Sequence, residues 1–265
     1  MIYRRKLGLV FITSLLFTFL IGGIAFSQGS SGTIVKKAYV LLNEGYYIAE
    51  GVVTVENGIV VDCTIDEINT MLFWANFNQN KITKDEIAAF GEENTFTAMF
   101  DFHGEVVPTK FAKYVQVGDR IFEAGHTAKG YILYKSEETG DVIPFFEKSD
   151  GHMEWFFKEM RAGNFWFLKK KGAGFEKFEI ASFFKDVPGK PLEKGKSQNK
   201  KYRVHWNNWE PNIYKIELFL KRNGFIKGTF VVNKDKIWTV ADAVTGATIT
   251  EFPEYAGVLY EAYEK

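Results

Sequence analysis

Cysteine is almost absent from this chain. Cys63 is the only one in 265 residues, which excludes an intrachain disulfide, a cysteine zinc site, an iron–sulfur cluster and c-type haem attachment. Any redox chemistry must therefore come from another source. A dominant charge is lacking as well: 33 basic residues balance 33 acidic ones, so no global field draws the chain to nucleic acid or anionic lipid. His103, His126, His152 and His205 are the only histidines. They fall without H-E-x-x-H or any other ligand spacing, which leaves a metal site unsupported. Neither G-x-G-x-x-G nor G-x-x-x-x-G-K-[ST] occurs, which argues against a Rossmann or P-loop nucleotide site. No internal period stands out, so a solenoid is not indicated.

What is present is the make-up of a globular protein. Hydrophobic side chains at 46% and charged ones at 25% suffice to bury a real core. Aromatics reach 17%, with 26 Phe, so much of the apolar area arrives as large flat side chains. Such a core suits a flat cofactor, but plain packing is the first reading, because aromatic content alone is a compositional prior. The local basic excess, at Lys169 to Lys171 and again from Lys190 to Arg203, has the character of solvated surface, the second stretch being interleaved with Gly, Pro, Ser and Asn.

The amino terminus has the form of an export signal over residues 1–27. Arg4, Arg5 and Lys6 precede an almost wholly apolar stretch from Leu7 to Ile21, Gly22-Gly23 loosen it, and Ala25-Phe26-Ser27 fits signal peptidase cleavage after Ser27. A retained anchor is the rival reading, because Leu7 to Phe26 as a helix would just cross a hydrocarbon core of about 30 Å. Either way the basic end stays in the cytoplasm and the body of the protein lies outside. No cysteine stands at the end of the apolar stretch, so a lipoprotein is excluded.

After a Gly/Ser linker at Gln28 to Gly32, Gly45 to Ile65 is expected to form strands that reverse at Asn57-Gly58, since both turn residues tolerate the positive φ of a type I′ hairpin. Asp66 to Phe90 is expected to be helical, with Asp66 as cap, a break near Asn80 and a restart at Thr83. Short strands are expected at Ala98 to Phe102, Tyr114 to Val117, Arg120 to Phe122 and Tyr131 to Tyr134. A helix capped by Asp150 should run to Arg161, with Met153, Phe156, Phe157 and Met160 on one face and Gly163 beyond it. A second should run from Pro211 to Arg222, burying Ile213, Ile216, Leu218, Phe219 and Leu220. Strands at Phe225 to Val232 and Ile237 to Val240, then a helix from Pro253 to Tyr263, complete the chain. Strands and helices come in runs rather than alternation, which predicts an α+β fold with antiparallel sheet.

The segment Asp242-Ala243-Val244-Thr245-Gly246-Ala247-Thr248 is where the sequence becomes specific. Its five constrained positions would recur by chance in roughly one chain of this length per thousand or fewer. Gly246 and Ala247 leave the backbone open to close approach. Thr248 with Glu251 three residues on matches a capping box, so a phosphate on Thr248 would meet free N–H groups and a favourable helix dipole; the same pair would also cap a helix with no ligand present.

The segment resembles the D-x-x-[ST]-G-A-T signature of the FMN-binding domain found in periplasmic flavoprotein subunits of Rnf complexes and of the sodium-translocating NADH:quinone reductase. The resemblance implies an FMN-binding-domain-like α+β fold over residues 33–265, with the stretch from about 70 to 202 as a long insertion that it does not cover. It implies FMN joined by a phosphoester to Thr248, with Asp242, Thr245, Gly246 and Ala247 completing the signature, installed from FAD by an extracytoplasmic flavin transferase of the ApbE family. Thr245 stands where Ser is commoner, and Pro253 falls unusually early in the last helix. The implied role is an electron carrier between a membrane donor and an extracytoplasmic redox partner, with no catalytic residue assigned. Trp238, Tyr255, Tyr260 and Tyr263 lie close in sequence and either stack on the ring or belong to the core. A flavin-dependent reductase of a small substrate and a non-catalytic extracytoplasmic binding module are the other two readings.

Overall fold

The computed structural model describes residues 32–78, 82–102, 104–178, 209–225, 230–233, 237–240, 243–244 and 252–265. Three long strands open the fold: β1 (Thr33–Leu42), β2 (Tyr47–Glu56) and β3 (Ile59–Asn69) form an antiparallel meander. Asn57 and Gly58 both have positive φ, at 51° and 79°, as the Asn-Gly pair predicts for its hairpin. A register shift between Thr54 and Val55 leaves Val61 without a cross-strand partner and bends that end of the sheet.

The expected helix from Asp66 onward is corrected by the structure. Residues 66 to 69 complete β3 against Tyr47 to Glu50, and Asp66 is a strand residue rather than a cap. A ten-residue neighbour offers every backbone group of that stretch a ladder partner, which outweighs the weak helical spacing of Ile68, Met71 and Leu72. Among the described residues of this stretch, helix survives in two short pieces, α1 (Met71–Trp74) and α2 (Lys84–Phe90). The second begins at the capping box Thr83/Glu86, with the Glu86 N–H donating to Thr83 Oγ1 at 3.2 Å and the Thr83 N–H to Glu86 Oε2 at 2.9 Å.

The hairpin β4 (Thr95–Phe102) and β5 (Glu105–Ala112) stands as its own two-stranded sheet. The β5 strand is absent from the sequence reading: it carries Pro108 opposite Met99, and proline is tolerated there because an edge strand need not donate outward. A six-stranded antiparallel sheet follows, built from β6 (Tyr114–Val117), β7 (Arg120–His126), β8 (Ile132–Ser136), β9 (Gly140–Asp141), β10 (Phe165–Lys171) and β11 (Gly174–Phe178), in the order β11-β10-β6-β7-β8-β9. Lys169 to Lys171 thus end a strand. Between β9 and β10 lie α3 (Val142–Glu147) and α4 (Asp150–Arg161). Met153, Phe156, Phe157 and Met160 are all buried on α4, and the cap position is Ser149, not Asp150. The Asp150 carboxylate instead accepts from Lys265 near the carboxyl end.

Two further helices, α5 (Trp209–Asn223) and α6 (Phe252–Glu264), flank a small sheet of β12 (Phe230–Val232), β13 (Trp238–Val240) and β14 (Ala243–Val244). Antiparallel sheets with packed helices make this an α+β fold. Of the expected stripe on α5, Ile213, Ile216, Phe219 and Leu220 are buried and Leu218 is half-buried. One apolar core runs through the described residues from Ala38 to Ala262. The stretch from 70 onward contributes its largest members, among them Trp74 stacked on Phe167 at 5.7 Å. The abundant aromatics of this stretch are therefore packing.

Ala38, Gly51 and Ile65 are cross-strand neighbours on the first sheet, and α6 lies against that row. A Cβ on Gly51 would sit 2.9 Å from the carbonyl carbon and oxygen of Val258. Gly51→Val is expected to push the helix off the sheet and cost about 1–3 kcal/mol of stability, read as a lowered urea midpoint; an unchanged midpoint would refute the close approach.

Candidate functional site

Asp242, Thr245, Gly246, Ala247 and Thr248 lie outside the described residues, as do the leader 1–27, His103, His205 and the basic stretch Lys190 to Arg203. What is described is the frame around the signature. Ala243 and Val244 form β14, with Ala243 opposite Val240 and Val244 opposite Thr239. Four residues past Thr248 the helix α6 begins at Phe252. Its course is fixed by two contacts on the first sheet. The Tyr255 hydroxyl donates to the Glu67 carboxylate, and near the other end Lys36 Nζ donates to the Tyr263 carbonyl at 2.7 Å. The helix therefore runs antiparallel to β1, its amino-terminal end at the Leu42–Tyr47 side of the sheet.

Three of the four aromatics near the signature are structural in this frame. Tyr255 is buried on Glu67, while Tyr260 and Tyr263 pack on Phe225 at 5.5 and 4.5 Å, the second pair nearly parallel. Only the backbone of Trp238 is described.

The face of β3 beneath α6 carries two buried polar side chains that the sequence does not advertise. Glu67 is wholly buried with the Tyr255 hydroxyl, and Asn69, two residues on and on the same face, is buried with neither end of its amide hydrogen-bonded. A buried amide without partners is costly, so Asn69 is the one described side chain near the helix that gains from an added polar group. A strand residue's facing depends on pairing register, which is why spacing gave no sign of it.

The opposite face of the first sheet holds an ionic cluster. Tyr39, Glu50 and Asp66 are cross-strand neighbours in one row. Arg161, from the last turn of α4, reaches over them with Nη2 at 2.5 Å from Glu50 Oε1 and 3.1 Å from Asp66 Oδ2. Glu50 Oε2 accepts from the Tyr39 hydroxyl at 2.7 Å and meets Lys37 Nζ at 3.4 Å. Burial alone would raise the Glu50 carboxyl, but the hydrogen bond and charge of Arg161 outweigh it and hold the group below the usual carboxylate range. Burial, then the Glu50 hydrogen bond, push the Tyr39 hydroxyl well up. The cluster forms the wall of an open groove of about 800 Å³ that Trp155, Phe157 and Lys158 also line. With both Glu50 oxygens committed, its chemistry is that of a fixed ion pair anchoring α4 to the sheet rather than of a proton donor.

A third group sits under α5. Glu217 accepts the Ile65 N–H at 2.7 Å, and burial, partly offset by that bond, raises its carboxyl to about 7. Beside it, burial and the Glu217 charge push the Cys63 thiol up to about 12, and the thiol donates to the Glu217 carbonyl at 3.4 Å. Cys63 is thus a buried, unreactive thiol. His152 lies 2.6 Å from the Phe145 carbonyl and is stacked on that ring, and His126 lies 3.0 Å from the Thr97 carbonyl. Among the described residues no group of His, Cys, Asp or Glu could hold a metal ion, and no helix is long and apolar enough to cross a membrane. Comparisons with protein-family models, with curated proteins and with solved structures return no match to this chain.

Proposed function

We propose that the chain is an exported flavoprotein that carries FMN as a phosphoester on Thr248 and serves as an electron carrier outside the cytoplasmic membrane. The observation that carries this reading is the run from Asp242 to Thr248. Its setting supports it: the run overlaps the short strand Ala243–Val244 and is followed by a helix of 13 residues seated on the first sheet. Attachment requires the Thr248 Oγ to attack the FMN phosphorus of FAD. The Oγ–P bond forms, the pyrophosphate P–O bond breaks, AMP leaves, and the hydroxyl proton passes to a base of the transferase. Gly246 and Ala247 leave room for that approach.

When bound, the flavin supplies one- or two-electron transfer. The chain's part is to hold it and shape its surroundings. Asn69 fits such a group, because its buried amide has a donor and an acceptor both without partners, and the polar edge of a flavin ring offers the complementary pair. The covalent link keeps the cofactor from diffusing away in an extracytoplasmic compartment.

Intact-mass measurement of the exported protein, produced beside an active ApbE-type transferase, tests the reading. One FMN phosphodiester increment is expected, with yellow colour that survives denaturation, and Thr248→Ala is expected to lose both. A colourless chain under those conditions would overturn the proposal in favour of a binding module. Reoxidation by a small substrate alone would reassign it to a reductase.

A further inference from the structure

The first sheet ends in a tip where exposed aliphatic side chains, covered by no part of the described fold, flank the polar turn Glu56-Asn57-Gly58. Thr33 is paired with Glu56, and Glu56 with Ile59, so the start of β1 and the β2–β3 turn share one end of the sheet. There Ile34 is 47% exposed, Val35 56%, Ile59 68% and Val61 40%. Ile34 and Val35 are consecutive in a strand and point to opposite faces, and Val61 is the residue left unpaired by the bulge. Aliphatic side chains thus project from both faces of the tip. Exposed aliphatic side chains of this kind mark a contact with a protein or a membrane, and a fluid apolar medium can surround both faces at once.

The chain itself says what that medium is. The apolar leader ends at Phe26 and β1 begins at Thr33, so the seven intervening steps place the tip within at most roughly 25 Å of the leader's end. Behind the tip, Lys36 lies with its ammonium 5.5 Å from the centre of the Tyr263 ring, and Tyr263 is 38% exposed. A lysine and a tyrosine about 10 Å back from an apolar edge match the headgroup depth at which both are favoured.

We propose that the Ile34–Val35 and Ile59–Val61 tip rests in the outer surface of the lipid bilayer, with the leader retained as an anchor rather than cleaved. This rests on the export reading of the leader and is independent of the flavin. It sets the orientation of the domain: α6 runs toward the tip, so its amino-terminal end, which Thr248 precedes by four residues in the chain, belongs to the end of the sheet turned away from the membrane. That end is the one open to a transferase or redox partner arriving from outside.

The full chain in its native membrane tests this with a spin label on Ile59→Cys or Val35→Cys. Cys63 is buried and does not compete for the label. The control is Lys129→Cys, an exposed position beside Gly130, whose carbonyl accepts from the Met99 N–H; the next residue, Phe100, packs on Tyr46 at the far end of the first sheet. Labels at 59 and 35 are expected to favour oxygen over a water-soluble nickel chelate several-fold more than the label at 129, in protein whose intact mass retains residues 1–27. Equal ratios at all three positions, or a mass showing cleavage after Ser27, would overturn the proposal. The FMN increment in the same mass spectrum reports on the flavin reading separately, so either proposal can fail alone.

Discussion

Arg161→Ala is expected to lower folding stability by about 3 kcal/mol at pH 7, near the low end for breaking a buried pair because the arginine side chain is 27% exposed while Glu50 is only 4%. The loss comes less from the missing attraction than from the Glu50 carboxylate left behind in a buried position, with only Lys37 at 3.4 Å and the Tyr39 hydroxyl to meet it. Two measurements separate these. Adding Glu50→Gln to Arg161→Ala removes the stranded charge and keeps an acceptor for Tyr39, so the double variant should recover part of the loss. The pH dependence follows from the direction of the Glu50 shift. A carboxyl held below its ordinary value of 4.5 contributes stability that is present above that value and lost as pH falls through the folded-state pKa. The gap between wild type and Arg161→Ala should therefore be widest near neutrality and narrow in acid. Urea unfolding at pH 7 and pH 4 that gave the same gap would show that the loss does not come from the stranded Glu50 charge, and no gap at either pH would show the cluster to be unimportant to the fold.

Glu217→Gln should act with the opposite sign. Its carboxyl is raised from 4.5 to about 7, so the folded state holds a proton that the unfolded chain has released. The stability tied to that proton is fully present below 4.5 and is lost as pH rises through 7, up to about 3 kcal/mol in all. Glutamine keeps the oxygen that accepts the Ile65 N–H and carries no charge. The variant should match wild type at pH 4 and exceed it by about 2–3 kcal/mol at pH 8, because only wild type pays the desolvation of an ionised carboxylate under α5. A benefit that does not change with pH would mean that Glu217 is already hydrated in the fold. Together, Glu50 and Glu217 predict a stability maximum on the acid side of neutrality.

The ionic cluster and the raised carboxyl share a property that makes both illegible in the sequence. Tyr39, Glu50, Asp66 and Arg161 come from three strands and one helix, and Glu217 meets Ile65 across more than 150 positions of chain. No local spacing encodes such meetings. The neighbours of Asp66 in sequence give it the character of a helix cap, and only the pairing of β3 with β2 puts it on the face that Arg161 covers. In the same way Asp150 resembled a cap, yet Ser149 holds that position. The β5 strand was hidden by Pro108, which is neutral at an edge and disruptive elsewhere.

The sequence by itself determined the features whose physics is local. An Asn-Gly pair demands positive φ, a Thr-x-x-Glu pair closes on itself, and apolar residues three and four apart define a buried helical stripe. These interactions are complete within about a turn of chain, so the order of residues contains them. Only the tertiary structure decided which charges are buried together, that Gly51 lets α6 touch the sheet, that Asn69 is buried without partners, and that Ile34, Val35, Ile59 and Val61 meet at one uncovered tip. Those outcomes depend on strand register and on burial, and both are properties of the assembled chain rather than of any stretch of it.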